Sequence, residues 1–313
     1  MLIDEWLKEC QKQVKVGEKT ESTFNRYERM IRLHILPKLG DMIIQDMKPN
    51  NIQTFFNYLR YEKEFKRKTC KIALTVINDC FKMALKRKLI KENPALDIDL
   101  PKAVSPTYTV WEKQDIETFL SLSNLENRGR YYSAILLALF TGLRKGEILG
   151  LTWDNVDFEN KEIIIKQIVN ELGQIKKRTK TKKARIISVP PFVLLELQKE
   201  KIRQESESFL IEDYNPNDLV FCTKNGNVVL PSSFNKAFNT IIKRFDLKII
   251  TVHALRHSHC SLLVNKNYNI KLIQERLGHA NVQTTLNIYS HLKNEVHHEL
   301  ANDLNVMFEN VSV

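Results

Sequence analysis

The sequence predicts a mostly helical protein with a small antiparallel sheet in its second half. Apolar residues recur at helical spacing through most of the 313 residues, whereas strand-like alternation occurs only at 156–169 and 184–190. A stretch with three prolines and no periodicity, 94–109, separates the two halves and is typical of a linker. We therefore predict a helical bundle at 1–93 and a mixed α/β domain, largely helical, at 110–313.

The helices of the first half follow from their apolar spacing. In "TESTFNRYERMIRLHILPKL", Thr20 and Ser22 are both placed to cap a helix that Pro37 should end. A second helix is expected to start near Pro49. The third is "KTCKIALTVINDCFKMALKRKLI", whose predicted apolar face consists of Ala73, Ile77, Phe81 and Leu85.

The second half begins with two predicted helices, "WEKQDIETFLSL" and the strongly apolar "YYSAILLALF". "VDFENKEIIIKQIV" alternates on both sides of a polar turn, which predicts a hairpin, and "ARIISVP" predicts a further short strand. From residue 191 onward the pattern is helical again, apart from the irregular stretch "EDYNPNDLVFCTKNGNVVLP".

Composition narrows the class of protein. No run of 18 apolar residues is present and the N-terminus lacks an apolar signal segment, so we expect a cytoplasmic protein with neither a membrane span nor a signal peptide. Five scattered cysteines without a C-x-x-C pair favour reduced thiols and argue against a zinc finger. The net charge of +11 favours either a nucleic-acid partner or an ordinary basic surface.

Positive charge is concentrated in the first half, where residues 1–105 hold 21 Lys and Arg against 14 Asp and Glu. Two runs, "KEFKRKTCK" and "KRK", suggest contacts to DNA phosphates, although such runs are also typical of solvated helix faces. The candidate DNA-binding residues here are Lys63, Lys66, Arg67, Lys68, Lys71, Lys86, Arg87 and Lys88.

The stretch "TGLRKGEILGLTWDNVD" places Arg144 at the start of a helix that follows a buried one. Helix starts carry free N–H groups that suit an anion, and an arginine beside them can hold a phosphate. Glu147, one turn later, either fixes an arginine of the site or forms a surface pair with Arg144.

In "TVHALRHSHCSLL", His253 and Arg256 lie three residues apart and share one helical face. His257 lies four residues after His253, which raises the alternative of zinc. No third ligand stands at metal spacing, so we predict no metal site. For His257 and His259 we expect satisfied polar packing.

Two further stretches carry reactive side chains. "LGHANVQTTLNIYSHL" contains His279 and Tyr289, and by itself a tyrosine there would most simply pack its ring. "KKRTKTKKARIISVP" is a basic turn before a strand, which is either a solvated hairpin or a source of one lysine for a DNA backbone site.

Taken together, "TGLRKGEILGL", "HALRHSH", "LGHAN" and "TTLNIYSHL" resemble, in residue type, order and spacing, the tyrosine recombinases, specifically the phage and mobile-element integrases. The resemblance covers nearly the whole chain. It also extends to residues 23–59, which are similar to the helical, SAM-like core-binding domain of that family. The resemblance implies site-specific recombination for integration or excision of a mobile element, through a covalent 3′-phosphotyrosine.

The resemblance implies a role for each motif residue. Tyr289 would attack a DNA phosphate, Arg144 and Arg256 would hold the non-bridging oxygens, His253 would assist proton transfer, and His279 would hydrogen-bond the phosphate. A lysine would protonate the leaving 5′-oxygen, with Lys180 favoured over Lys182, which otherwise contacts DNA. Because a tyrosine hydroxyl with a pKa of ~10 is a weak nucleophile at neutral pH, such cationic donors are chemically required.

The resemblance further implies a double-stranded DNA partner with an inverted-repeat core site, a dimer to tetramer on DNA, an accessory DNA-bending or excision factor, and no cofactor. The alternatives are a type IB topoisomerase and a DNA-binding regulator with little activity. Many integrases carry an additional arm-binding domain before the core-binding helices, so either a two-domain recombinase or a truncated chain is expected. The apolar residues Leu300, Leu304, Met307 and Phe308 predict a C-terminal helix, docked either on its own domain or on a neighbour.

Overall fold

The computed structural model describes residues 2–102, 109–177 and 185–278. The chain divides into two compact units, Met1–Pro106 and Thr107–Val313. Most of the described residues are helical and the strands are short, as the sequence predicts. Within these ranges no helix is long and apolar enough to span a bilayer.

The first unit is a bundle of helices around one core, which includes Trp6, Phe56 and Phe81. Thr20 caps the second helix by accepting a hydrogen bond from the backbone N–H of Thr23, as predicted. The helices of this unit are α1 (Leu2–Lys15), α2 (Glu21–Met30), α3 (Leu36–Leu39), α4 (Pro49–Tyr61) and α5 (Arg67–Lys86).

The expectation that Pro37 ends the second helix is wrong. A π-helical turn at Ile31–Ile35 follows α2, and helical structure continues through Pro37 to Leu39. Proline lacks an N–H group, and its ring interferes with the regular bonding of the preceding turn. The π turn changes that bonding pattern: the N–H of Leu36 reaches back to the carbonyl of Ile31, five residues earlier.

The second unit surrounds a larger core with helices and two small antiparallel sheets. Its helices are α6 (Lys113–Ser121), α7 (Tyr132–Thr141), α8 (Lys145–Leu149), α9 (Pro191–Ser208), α10 (Pro231–Arg244), α11 (Val252–Asn265) and α12 (Ile270–Leu277). Its strands are β1 (Val156–Asp157), β2 (Glu162–Ile165), β3 (Gln167–Val169), β4 (Ile175–Lys177) and β5 (Arg185–Ser188).

The predicted hairpin and the predicted short strand belong to one sheet, ordered β1-β2-β5. Arg185 pairs with Ile165 at the start of β5, so the backbone of Arg185 is held by the sheet ladder. The pairing of β3 with β4 forms a second hairpin that the sequence interpretation missed. Its strands have three residues each, too few to show a clear alternation.

Helix α7 is buried on every side, which explains why its sequence is apolar without a polar stripe. It packs against α11, and the two helices place the residues that follow α7 beside those on α11. Ser258 on α11 accepts the backbone N–H of Trp111 at 2.9 Å, which joins the start of this unit to the same helix.

Two glycines end helices where the chain must turn sharply. Gly142 follows α7 with φ of 66° and Gly278 follows α12 with φ of 65°, the left-handed conformation that glycine adopts most easily. A side chain at 142 would overlap Leu277, and one at 278 would overlap the guanidinium of Arg185. The ends of α7 and α12 therefore approach each other closely.

Candidate active site

Arg144 stands immediately before α8 and is fixed by Glu147 on the first turn of that helix. The Glu147 carboxylate accepts the backbone N–H of Arg144 at 2.9 Å and its Nη1 at 3.2 Å. Arg144 also donates from Nη2 to the carbonyl of Gly278 at 2.7 Å. Glu147 is only 2% exposed whereas the side chain of Arg144 is 40% exposed, so a buried carboxylate holds a partly exposed arginine, unlike the surface pair considered from the sequence.

Arg256 lies on α11 and is almost completely buried, with 1% of its surface exposed. It donates to the carbonyl of Gly142 at 2.6 Å and to that of Leu277 at 2.7 Å. Burial and then the nearby charge of Arg144 lower the pKa of Arg256 to about 9. The folded chain thus holds two positive charges close together, which favours a negatively charged group beside them.

His253 begins the same face of α11 and remains exposed. It borders a cleft with Arg144. The other residues around this cleft are Lys145, Gly146, Glu171, Asn235, Asn239, Thr251 and Val252. Partial desolvation, followed by the charges of Arg256 and Arg144, lowers the pKa of His253 and favours its neutral form, which can accept a proton. The structure thus brings Arg144, His253 and Arg256 together, as the resemblance implies.

Arg185 is a residue of this cluster that the sequence interpretation did not place in the site. Its side chain is 11% exposed and donates to Glu147 at 3.0 Å and to the carbonyl of Leu277 at 2.5 Å. In the sequence it belongs to the predicted strand "ARIISVP", which follows the basic turn. The available signal was a single arginine beside β-branched residues, which does not distinguish a site residue from a strand-edge charge.

Within the described ranges, Arg144 and Arg185 share the carboxylate of Glu147, and all three arginines donate to carbonyls at the end of α12. The C-terminal end of a helix carries partial negative charge, which suits these guanidinium groups. The three guanidinium groups lie close together, and those of Arg185 and Arg256 are poorly solvated. Chemically, this arrangement is suited to an anionic group such as a phosphate diester.

His259 is buried and hydrogen-bonded, as expected, and His257 is buried with its ring edge-on to that of His253. His259 accepts a hydrogen bond from Nε of Arg276 at 3.1 Å, which requires an unprotonated ring nitrogen. Burial, and then the neighbouring charge of Arg276, lower the pKa of His259 to about 3. Burial and the adjacent His253 lower that of His257 to about 4. Both rings are therefore neutral at physiological pH.

Four predicted site residues lie outside the described residues: Lys180, Lys182, His279 and Tyr289. The choice between the two lysines, and the docking of the predicted C-terminal helix, stay predictions. In the parts of the chain that the structure describes, no group of three His, Cys, Asp or Glu side chains is placed to hold a metal. The five cysteines are all unpaired.

The predicted DNA-contact residues of the first unit lie at the two ends of α5. The run 63–71 surrounds the start of this helix and the run 86–88 its end, which places the runs roughly 30 Å apart. Arg67 donates to the carbonyl of Pro101 at 2.9 Å and Arg87 pairs with Glu5 at 2.5 Å, so both also hold the fold together. The predicted lysines are exposed: Lys63, Lys66, Lys68, Lys71, Lys86 and Lys88.

A lysine stripe, interrupted by Asp79, runs along α5 between these two runs. Lys68, Lys71, Lys82 and Lys86 lie on the face opposite the buried residues Ala73, Ile77 and Phe81, and Lys82 pairs with Asp79 at 3.5 Å. Lys82 was missed because it stands alone in the sequence between the two runs. The spacing itself was the available signal: Lys82 lies eleven residues after Lys71 and four before Lys86.

The second unit matches the Phage integrase family over residues 110–295, more than half of the chain. The chain belongs to this family. A second match, to the phage integrase N-terminal SAM-like domain, covers residues 1–60. This membership confirms the predicted resemblance, the predicted fold class and the assignment as a tyrosine recombinase, an enzyme that breaks and rejoins DNA at specific sites.

Curated relatives include members from bacteria and their mobile elements. A "Tyrosine recombinase XerC-like" protein of Caldanaerobacter subterraneus subsp. tengcongensis is 31% identical over 93% of this chain and 78% of its own length. The "ICEBs1 integrase" of Bacillus subtilis is 26% identical, with 90% and 77% of the two chains covered. The transposase from transposon Tn916 of Enterococcus faecalis is 27% identical over 81% of this chain and 65% of its own.

Solved structures of similar fold include a Tn1549 transposon integrase in complex with a circular intermediate DNA. It aligns with a TM-score of 0.78 at 25% identity, covering 94% of this chain and 97% of its own. A lambda integrase dimer bound to a COC′ core site aligns at 0.69 over 91% and 94% of the two chains. Its identity of 16% supports a shared fold.

Proposed function

We propose that this recombinase binds double-stranded DNA and carries out its reaction with Tyr289 as nucleophile at the site formed by Arg144, His253 and Arg256. The observation that supports this most directly is the group of Arg144, Arg185 and Arg256 around the end of α12, in which Arg185 and Arg256 are buried. Such a concentration of guanidinium groups stabilises the additional negative charge that develops on a phosphate during in-line attack.

In the proposed reaction, the hydroxyl of Tyr289 attacks the scissile phosphate and forms a 3′-phosphotyrosyl bond while the 5′-oxygen leaves. Arg144 and Arg256 bind the two non-bridging oxygens. His253, whose pKa is lowered, accepts a proton at the tyrosine side of the phosphate. Lys180, or alternatively Lys182, donates a proton to the leaving oxygen, and His279 hydrogen-bonds the phosphate. The reverse reaction rejoins the strands, so no external energy source is required.

The substrate we propose is a DNA core site with inverted repeats, bound by two protomers and recombined by four, in the bacterial cytoplasm. Relatives named as integrases and transposases of mobile elements support a role in moving such an element. The solved complexes of similar proteins with DNA support the partner. We further propose that the bundle at 1–93 binds the duplex through the lysine stripe of α5 and that 94–109 acts as a linker.

The decisive experiment uses a duplex with a nick near the scissile phosphate, taken from the repeat that flanks the element. The wild-type protein should form a covalent adduct that survives denaturing electrophoresis. Tyr289→Phe should form none while it retains its affinity for DNA. Tyr268→Phe, at an exposed tyrosine after α11, is the matched control and should form the adduct at the wild-type rate.

An adduct with Tyr289→Phe would show that another side chain is the nucleophile. Plasmid relaxation without preference for any site would favour the topoisomerase alternative over recombination. DNA binding without any adduct from the wild-type protein would favour the regulator.

A further inference from the structure

Arg185 connects the two arginines that the proposed function assigns to the phosphate. Through Nη2 it shares the carboxylate of Glu147 with Arg144. Through Nη1 it shares the carbonyl of Leu277 with Arg256. A planar guanidinium has several N–H donors in fixed directions. It is therefore suited to such a bridge, because it can donate to two acceptors at once with good geometry for both hydrogen bonds.

The position of Arg185 is itself rigid. Its backbone pairs with Ile165 in the sheet, its side chain is mostly buried, and its guanidinium lies against Gly278, where a Cβ would overlap it. The bridge therefore ties three elements to one point: the sheet through β5, the start of α8 through Glu147, and the end of α12 through Leu277. A loose surface arginine would impose no such constraint.

The charge of Arg185 also affects the protonation of Arg256. It is one of the charges that lower the pKa of Arg256, after burial and Arg144. Like charges at this density move apart unless shared acceptors hold them, and Glu147 and Leu277 are those acceptors. Loss of the bridge would leave Glu147 and the end of α12 less firmly held, and Arg144 and Arg256, which bind them, would then adopt positions of which only some match two oxygens of one phosphate.

We propose that Arg185 is a positioning residue of the recombinase: it sets the spacing of Arg144 and Arg256 by sharing Glu147 with the first and the Leu277 carbonyl with the second. The proposal rests on the proposed function of those two arginines. Arg185 also holds the end of α12, directly before His279 in the sequence, and so acts on the point from which the chain continues toward Tyr289.

The test compares Arg185→Lys with Arg130→Lys. Lysine keeps the positive charge, but its single ammonium group cannot donate to two acceptors in the fixed directions of a guanidinium. Arg130 is a matched control in the same unit, because it also bridges a carboxylate, that of Glu207, and two carbonyls, those of Cys222 and Thr223. It shares none of these partners with Arg144 or Arg256.

Single-turnover adduct formation on the nicked duplex should slow by about 10- to 100-fold in Arg185→Lys, with DNA affinity changed by less than about threefold. Arg130→Lys should keep the wild-type rate, measured well below its melting temperature. An Arg185→Lys rate within about twofold of wild type would overturn the proposal.

A modified substrate separates positioning from a purely structural effect. A methylphosphonate at the scissile position replaces one charged non-bridging oxygen with a methyl group, and the wild-type protein should lose rate on it. If Arg185 positions the two arginines, this loss should be at least about fivefold smaller in Arg185→Lys, since contacts already weakened cannot be lost again. An unchanged loss would contradict the proposal.

Folding and nucleophile controls keep the outcome interpretable. Arg185→Met, which removes the charge, could fail to fold. In that case Arg185→Lys still decides the question, because lysine retains the positive charge beside Glu147. If Tyr289→Phe still forms the adduct, the proposed nucleophile fails. A normal Arg185→Lys rate with an inactive Tyr289→Phe would instead reject the positioning role alone.

Discussion

Two arginine–glutamate networks lie in the second unit, and they differ in how the charged form of an arginine is stabilised. The site cluster consists of Arg144, Arg185, Arg256 and Glu147. The scaffold cluster consists of Arg130, Arg203, Glu200 and Glu207, in which each cation meets a carboxylate. Both are mostly buried, so burial alone does not distinguish a site from a structural network.

The pKa of a buried arginine shifts in opposite directions in the two clusters. Burial and Arg144 lower the pKa of Arg256 to about 9. Burial also disfavours the charged form of Arg130, but the hydrogen bonds to Glu207 and its negative charge together have a larger effect and raise its pKa. A bound anion would favour the charged form of Arg256 in the way that Glu207 favours that of Arg130. The direction of the arginine pKa shift, rather than burial or the number of ion pairs, therefore distinguishes the candidate site from the scaffold cluster.

The largest effect should come from Arg256→Lys, which keeps the positive charge but replaces the guanidinium group with a smaller ammonium group. Loss of one preorganised donor to a developing charge typically costs about 100- to 1,000-fold in rate, and we expect a similar loss of adduct formation. The measurement is single-turnover cleavage of the nicked duplex. If Arg256→Lys cleaved within tenfold of the wild-type rate, the site cluster would not differ from the scaffold cluster in its importance for the reaction.

A smaller effect, on stability instead of rate, is expected for Arg130→Met in the scaffold cluster. Removal of one partner leaves Glu207 buried against fewer donors, which should lower the free energy of unfolding by about 3 kcal/mol. Urea denaturation measures this change. Cleavage per folded molecule should stay at the wild-type level, and a selective loss of cleavage would contradict the structural role of Arg130.

The scaffold cluster should also respond to acid. Burial favours protonated Glu207, but hydrogen bonds from Arg130 and Tyr214 outweigh it and lower its pKa from 4.5 to about 2. The group therefore contributes stability above pH 4.5, and this contribution is lost as the pH falls through about 2. Allowing for its partial exposure, we expect about 1–2 kcal/mol.

Glu207→Gln should remove this part of the pH dependence, which melting temperatures between pH 5 and pH 3 can measure. Glu205→Gln, on the same helix at an exposed position, is the control and should leave the curve unchanged. An identical acid response in Glu207→Gln and wild type would show that other carboxylates dominate.

The smallest effect, on DNA affinity, is expected in the first unit, where the candidate residues are exposed lysines and not buried arginines. Lys82→Ala should weaken DNA binding by a few-fold and reduce the slope of log affinity against log salt by about 0.9, as for one lost phosphate contact. Lys113→Ala on α6, an exposed lysine of the second unit that pairs with Glu117, is the control. Equal salt slopes for both variants would exclude Lys82 from the DNA interface.

Much of the fold was predictable because its signals are local. Helical spacing placed α4, α5, α6 and α7, and Thr20 identified the start of α2. The passage of the helix through Pro37 was not predictable in this way, because a π turn depends on how the surrounding bundle holds the backbone. The hairpin of β3 and β4 was missed because strands of three residues carry little pattern.

The sequence by itself determined which side chains were candidates: Arg144 after a Thr-Gly break, and His253 with Arg256 on one helical face. Only the tertiary structure decided that Glu147 is buried, that Arg185 joins the group, and that α12 ends among the arginines. The reason is physical. Arg144 meets Gly278 across 134 residues and Arg185 meets Leu277 across 92, and contacts at such separations arise from packing, which leaves no periodicity in the chain.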